Sequence, residues 1–172
     1  MFTNMKIGTR LTLAFGLLLL FLLVNGAVAF KMIEDLADEV TVLAEDRMPK
    51  VELANEIVDN INVIARALRN IYIDETKQVQ EAEYARIVKA RETIGKNAET
   101  LKAASHSGEG RDKVQALFDA RAAYIDNYEK FLGHVRANER DKAKALLLTS
   151  VREAQSKYFA AAEGVIDYQG KA

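Results

Sequence analysis

Beyond residue 30, apolar residues recur at helical spacing along nearly the whole chain. Ile57, Ile61, Ile64, Leu68 and Ile71 step by 4, 3, 4 and 3, a coiled-coil-type seam. With Leu36, Val40 and Leu43 it predicts a first helical segment over about Met32–Ile73. Pro49 divides the two stretches and predicts a kink or a fresh helix start, because proline lacks a donor and crowds the preceding turn. A second segment, about Lys77–Ala104, carries Tyr84, Ile87, Arg91, Ile94, Ala98 and Leu101 on one stripe. SHSGEG at Ser105–Gly110 reads as a loop. A third segment, about Arg111–Ala137, has Val114, Leu117, Arg121, Tyr124, Tyr128, Phe131 and Val135 in line. The fourth starts near Asp141, an acceptable N-cap, and its stripe is Leu147, Val151, Ala154, Tyr158, Ala161, Val165 and Tyr168.

Short links near Asp74–Thr76, Ser105–Gly110 and Asn138–Arg140 make neighbouring helices antiparallel. The expected fold is therefore all-α, an up-down-up-down four-helix bundle over residues 31–172.

Leu11–Phe30 is a different kind of segment, twenty residues without a charge. As a helix it spans about 30 Å, the hydrocarbon thickness of a bilayer. Lys6 and Arg10 precede it with no acid, so residues 1–10 are expected in the cytoplasm and the bundle outside it. A cleaved signal peptide competes with a retained anchor, since Ala27-Val28-Ala29 fits a small-residue cleavage site. The length of the run and the helical pattern resuming at Met32 favour the anchor. The first and fourth helices would both end on the membrane side, so a second span and a signalling region are expected beyond this sequence.

Composition narrows the function. Lys plus Arg number 24 against 25 Asp plus Glu, which argues against nucleic-acid binding. The absence of Cys excludes disulfides and Cys-ligated metals. His106 and His134 are too far apart to share a metal, and there is no Glu-x-x-His pattern, so neither metal nor cofactor is expected. No phosphate loop or nucleophile signature points to an enzyme.

The informative polar residues stand where apolar ones belong. Arg121 and Arg91 occupy stripe positions at similar depth, near Tyr124 and Tyr128, with Asp59, Asn62, Gln155 and Tyr158 at about the same level. Unpaired buried charge costs about 3–5 kcal/mol, so these arginines need an anion. A bound carboxylate would serve through paired hydrogen bonds. An internal salt bridge, for example to Asp59, or a guanidinium reaching water would serve as well.

The opening MKIGTRLTLAFGLLLLFLLV resembles the first span of bacterial methyl-accepting chemotaxis proteins. RMPKVELANEIVDNINVIARALRNIYI resembles the first helix of their four-helix-bundle sensor domain. RAAY at Arg121–Tyr124 and DKAKALL at Asp141–Leu147 resemble its third helix and the start of its fourth. The resemblance covers essentially the whole chain and implies ligand contact at Arg121 and Tyr124. It also implies a homodimer through the first helix, with arginines at the two-fold seam clamping a ligand carboxylate. Asn55, Asn62, Arg66 and Arg69 form a polar stripe there, faced by Leu148, Arg152, Gln155, Phe159, Ala162 and Ile166, a second face of the fourth helix that the core does not need. Arg66, Arg69, Thr149 and Arg152 lie at the implied depth, though arginines on a polar helix face are also commonly just solvated.

The expected function is the sensor portion of a chemoreceptor in a bacterial inner membrane. It would bind a small organic acid in the periplasm and pass a helix displacement to cytoplasmic signalling proteins. The same bundle could instead serve a histidine kinase or a cyclic-dinucleotide enzyme, or act as a free periplasmic adaptor or chaperone after cleavage.

Overall fold

The computed structural model describes residues 6–105 and 108–171, and among these only helices and their connections occur. The elements are α1 (Ile7–Val42), α2 (Met48–Ile73), α3 (Lys77–Ala104), α4 (Gly108–Arg136), α5 (Arg140–Leu148) and α6 (Ser150–Lys171), with a π-helical turn at Leu43–Arg47. The chain divides into two compact units, Met1–Glu45 and Asp46–Ala172.

The first unit is carried by α1, which buries none of its residues. It is long and apolar enough to cross a membrane, by length and composition. Leu36, Val40 and Leu43, placed in a seam by their spacing, are all exposed.

The second unit is the bundle. α2 packs on α3 and on α6, α4 packs on α6 and α5, and α2 and α4 lie diagonally. Its core contains the predicted seam: Ile57, Ile61, Leu68 and Ile71 have no exposed surface and Ile64 has almost none. Ile87, Ile94, Ala98, Leu101, Val114, Leu117, Phe131, Val151 and Val165 join them from the other helices. The α2–α3 contact is pinned by two polar ties: Asn70 donates to Glu83 at 2.8 Å, and Asn97 donates to Glu56 at 2.6 Å. Glu83 and Asn97 are buried, so each bond satisfies a group that would otherwise be costly to desolvate.

The links follow local chemistry. Asp74 accepts from the backbone and hydroxyl of Thr76 at 2.9 and 2.6 Å, closing the α2–α3 turn; these bonds hold its carboxyl below the usual range. Asn138 takes a left-handed φ of 57°, which asparagine tolerates, and ends α4. Arg140 ties the two distal turns together. It pairs with Glu75, donates to the Tyr72 carbonyl at 3.1 Å, and lies 4.7 Å over the Tyr72 ring.

Pro49 stands at a helix start, as its chemistry predicts: the backbone widens into the π turn just before it, and Pro49 sits in the first turn of α2. Several other expectations need correction. α4 begins at Gly108, so the loop is shorter than Ser105–Gly110; His106 and Ser107 lie outside the described residues, as do Met1–Met5 and Ala172. The fourth helix begins at Arg140, not Asp141, and is interrupted at Thr149, whose φ and ψ are −117° and −93°. The Thr149 hydroxyl and its backbone N–H both donate to the Ala145 carbonyl, at 2.6 and 3.1 Å.

Candidate functional site

Two polar assemblies stand out in the bundle, and the residues singled out by the sequence fall into both. The first is a groove of about 370 Å³ between α2 and the α5–α6 pair. Arg69 enters it from α2, and Arg152, Gln155 and Ser156 enter from α6, against apolar walls that include Leu68, Val151 and Phe159. Arg69 donates its Nε to the Ala65 carbonyl at 2.9 Å, which steadies the side chain along α2. Neither Arg69 nor Arg152 has an acidic partner among the described residues. Arg66 is exposed on α2 and does not line the groove. Thr149 marks the break between α5 and α6, where its hydroxyl is spent on Ala145.

The fourth helix's second face is only partly spare. Ala162 has no exposed surface and belongs to the core, and Phe159 and Ile166 pack against that core. The face comes free of the bundle only toward the helix start, at Leu148 and Arg152. The interruption at Thr149 was missed from the sequence, although Ser150-x-x-Glu153 carries the pattern of a helix start.

The second assembly lies inside the bundle. The rings of Tyr124, Tyr128 and Tyr158 are buried together, with Tyr124 5.3 Å from Tyr128 edge-on and 6.0 Å from Tyr158. No protein group bonds their three hydroxyls among the described residues. Burial pushes all three phenols up, Tyr128 to about 12. For Tyr124 the neighbouring Tyr128 adds to the rise and Arg69 opposes it; Arg91 opposes it at Tyr128, and Arg121 at Tyr158. Arg91 donates to Glu129 of α4 at 3.0 Å, so its charge is met inside the protein, by Glu129 and not by Asp59. Arg121 has no such partner among the described residues. Its guanidinium lies across α3 at Gly95, where a Cβ would meet Nη2 at 3.1 Å.

The chain matches, over residues 4–172, the family described as "Four helix bundle sensory module for signal transduction". It belongs to that family. This four-helix-bundle sensory module thus has the fold and the chemotaxis-receptor kinship expected of its sequence. No curated protein sequence matches it. Among its described residues no group of three or more His, Asp or Glu is placed to hold a metal ion.

Proposed function

We propose that this sensory module is the extracytoplasmic part of a bacterial chemoreceptor. It binds a small organic acid in the α2–α6 groove and transmits a helix displacement across the inner membrane. The observation that carries this reading is the pair of unpaired guanidiniums, Arg69 and Arg152, on one groove of about 370 Å³. That volume is of the size that holds small ligands. Arginine pairs a carboxylate through two parallel bonds, Gln155 and Ser156 offer further polar contacts, and the apolar walls accept the ligand's hydrocarbon part.

The groove joins an element that leads to α1 in the chain with one that ends the described residues, α2 and α6. A ligand favouring one placement of α6 against α2 would shift the population toward that placement. A displacement of about 1–2 Å is typical of such helix shifts. The exposed arginine Arg66 and the exposed apolar residues Met32, Ile33, Leu36 and Val40 support a homodimer through the first helices, with cytoplasmic signalling proteins as downstream partners.

Calorimetry of the full chain in lipid nanodiscs, against a panel of dicarboxylates, tricarboxylates and aromatic acids, tests this. Binding of one acid class is expected, weakened at least about tenfold by Arg152→Ala and by Arg69→Ala, as loss of a charge-assisted pair implies. A folded chain that binds no acid, or binds equally in both variants, refutes the reading.

A further inference from the structure

The short helix α5 is bounded at both ends by residues outside the helical pattern. Asn138, with its left-handed φ of 57°, precedes it, and Thr149, at φ −117° and ψ −93°, follows it. Between them Arg140–Leu148 is nine residues. Helices shorter than about 12–15 residues are marginal alone in water, so α5 depends on what it packs against. Of its residues only Ala143 is fully buried; Leu146 and Leu147 pack partly on the core, and Leu148 is exposed. Its first turn does not close on α2: a cavity of about 150 Å³ is lined by Ile71 and Tyr72 of α2 and by Arg140 and Ala143 of α5. The polar connection there is Arg140, with its bonds to Glu75 and the Tyr72 carbonyl and its place over the Tyr72 ring. The Glu139 N–H donates to the His134 carbonyl at 2.9 Å, which keeps the turn before α5 on the end of α4. At its last turn α5 is a wall of the α2–α6 groove, through Leu147 and Leu148. The longer helices are engaged on more sides. α4 packs on α6 in the core, with Tyr124 against Tyr158, and meets α3 through the Arg91–Glu129 bond. It also meets α3 through cations over rings: Arg91 lies 6.0 Å from the Tyr128 ring centroid, Lys102 5.1 Å from Phe118, and Arg136 5.2 Å from Tyr84.

We propose that α5 is a hinged lid on the α2–α6 groove, pivoting at Asn138 and Thr149 and latched by Arg140 to the α2–α3 turn. Hinges are a few element-terminal residues that absorb changes in φ and ψ, and Asn138 and Thr149 stand at such positions. Lids are drawn from the least stable parts of a fold, and a short helix with one fully buried residue is such a part. The cavity beside Arg140 and Ala143 lets α5 move against α2 without first displacing close-packed side chains. That motion carries Leu147 and Leu148 with it, so it opens the groove to a ligand and closes it over the ligand's hydrocarbon part. The role toward a ligand rests on the reading of the groove as the acid's site; the hinged helix and its latch do not.

The test is amide hydrogen exchange of the full chain in nanodiscs, resolved by residue. Without any acid, residues 143–148 are expected to exchange together, at least about tenfold faster than the buried stretches of α4 and α6. Arg140→Gln is expected to speed α5 by a further factor of about five, as loss of a charge-assisted pair implies, and to leave α4 and α6 unchanged. Arg136→Gln, which removes the cation over Tyr84 at the end of α4, is the control and is expected to leave α5 as it was. The chain has no Cys, so spin labels on Lys144→Cys and Asp59→Cys report lid against frame, and labels on Asp59→Cys and Glu163→Cys report the frame alone. In Arg140→Gln the first pair is expected to gain a second distance and the second pair to keep one. Succinate, citrate and benzoate then serve as probes. One that binds, at about ten times its dissociation constant, is expected to slow α5 exchange about tenfold, since it holds the closed lid. The proposal is overturned if α5 exchanges in step with α4 and α6, if Arg140→Gln changes neither rate nor distance, or if it moves the frame pair equally. It is also overturned if a probe whose binding is lost in Arg152→Ala leaves α5 exchange unchanged. If none of the three binds, the acid site fails, and the acid-free exchange and distances alone decide the lid.

Discussion

Three glycines inside helices face different surroundings, and replacing each by alanine separates backbone propensity from packing. Gly164, midway along α6, has only the Lys113 side chain near its would-be Cβ, at 3.8 Å, an ordinary contact. Gly164→Ala should therefore gain most of the intrinsic helix preference, about 0.5–1 kcal/mol. Gly95→Ala meets the tip of Arg121 at 3.1 Å. A long, half-buried side chain yields by a few tenths of an ångström at little cost, so this variant should keep most of that gain. Gly110→Ala meets the Tyr168 ring, with Cε1 at 2.9 Å and Cζ at 3.4 Å. An aromatic ring cannot step aside as a methylene chain can, and overpacking costs about 1–3 kcal/mol. After its smaller propensity gain near the helix start, Gly110→Ala should be destabilised by about 1 kcal/mol. For a unit of this size 1 kcal/mol is about 3–5 °C in Tm, so the Gly164 and Gly110 variants should melt about 6 °C apart. Thermal unfolding of the full chain in detergent, followed by far-ultraviolet circular dichroism, measures this. If Gly110→Ala melts at or above Gly164→Ala, the packing of Tyr168 against α4 is not as described.

Ile61→Ala removes a fully buried seam residue and should cost about 2–5 kcal/mol in urea unfolding, with the midpoint falling and the slope unchanged. Arg140→Ala should cost about 1 kcal/mol and speed hydrogen exchange at the α2–α3 and α4–α5 turns; Arg140→Lys should not restore it, since it can neither stack on Tyr72 nor fork to Glu75 as arginine does. The phenols of Tyr124, Tyr128 and Tyr158 hold their protons above pH 10 in the folded chain, whereas the unfolded chain releases them near 10. The unfolded state then binds fewer protons, so stability should be flat below about pH 9 and fall as pH rises from 10 toward 12; melts that stay constant to pH 11 would contradict the cluster's burial.

Much of the bundle was legible because one period governs it. Ile57 through Ile71 bury as spaced, and α3 spans Lys77–Ala104 as the pattern predicts. What escaped the sequence depends on partners far along the chain. Arg91 reads as a charge in need of an anion until Glu129 is found 38 residues away. Ala162 looks spare on a helical wheel, but a wheel does not tell how deeply a small residue sits between two neighbours. The break at Thr149 lies in the backbone angles of one residue, which hydrophobic spacing does not register. Of the candidate site, arginine and tyrosine identity was legible, but not which groups share a cavity. The structure divides them into Arg69 with Arg152 on one side of the tyrosines and Arg121 with Arg91 on the other.

The cations along α3 and α4 give the bundle a mechanical grain. Where α2 meets α3, isoleucines and leucines pack together and two half-buried amide–carboxylate bonds fix the register, so sliding would break complementary surfaces. Where α3 meets α4, a charge hovering over a ring loses little when the ring moves by an ångström, because the attraction is broad and undirected. Sliding α3 past α4 would cost the Arg91–Glu129 bond but little of the cation–ring attraction, so that contact should yield to an axial push more readily than α2 against α3.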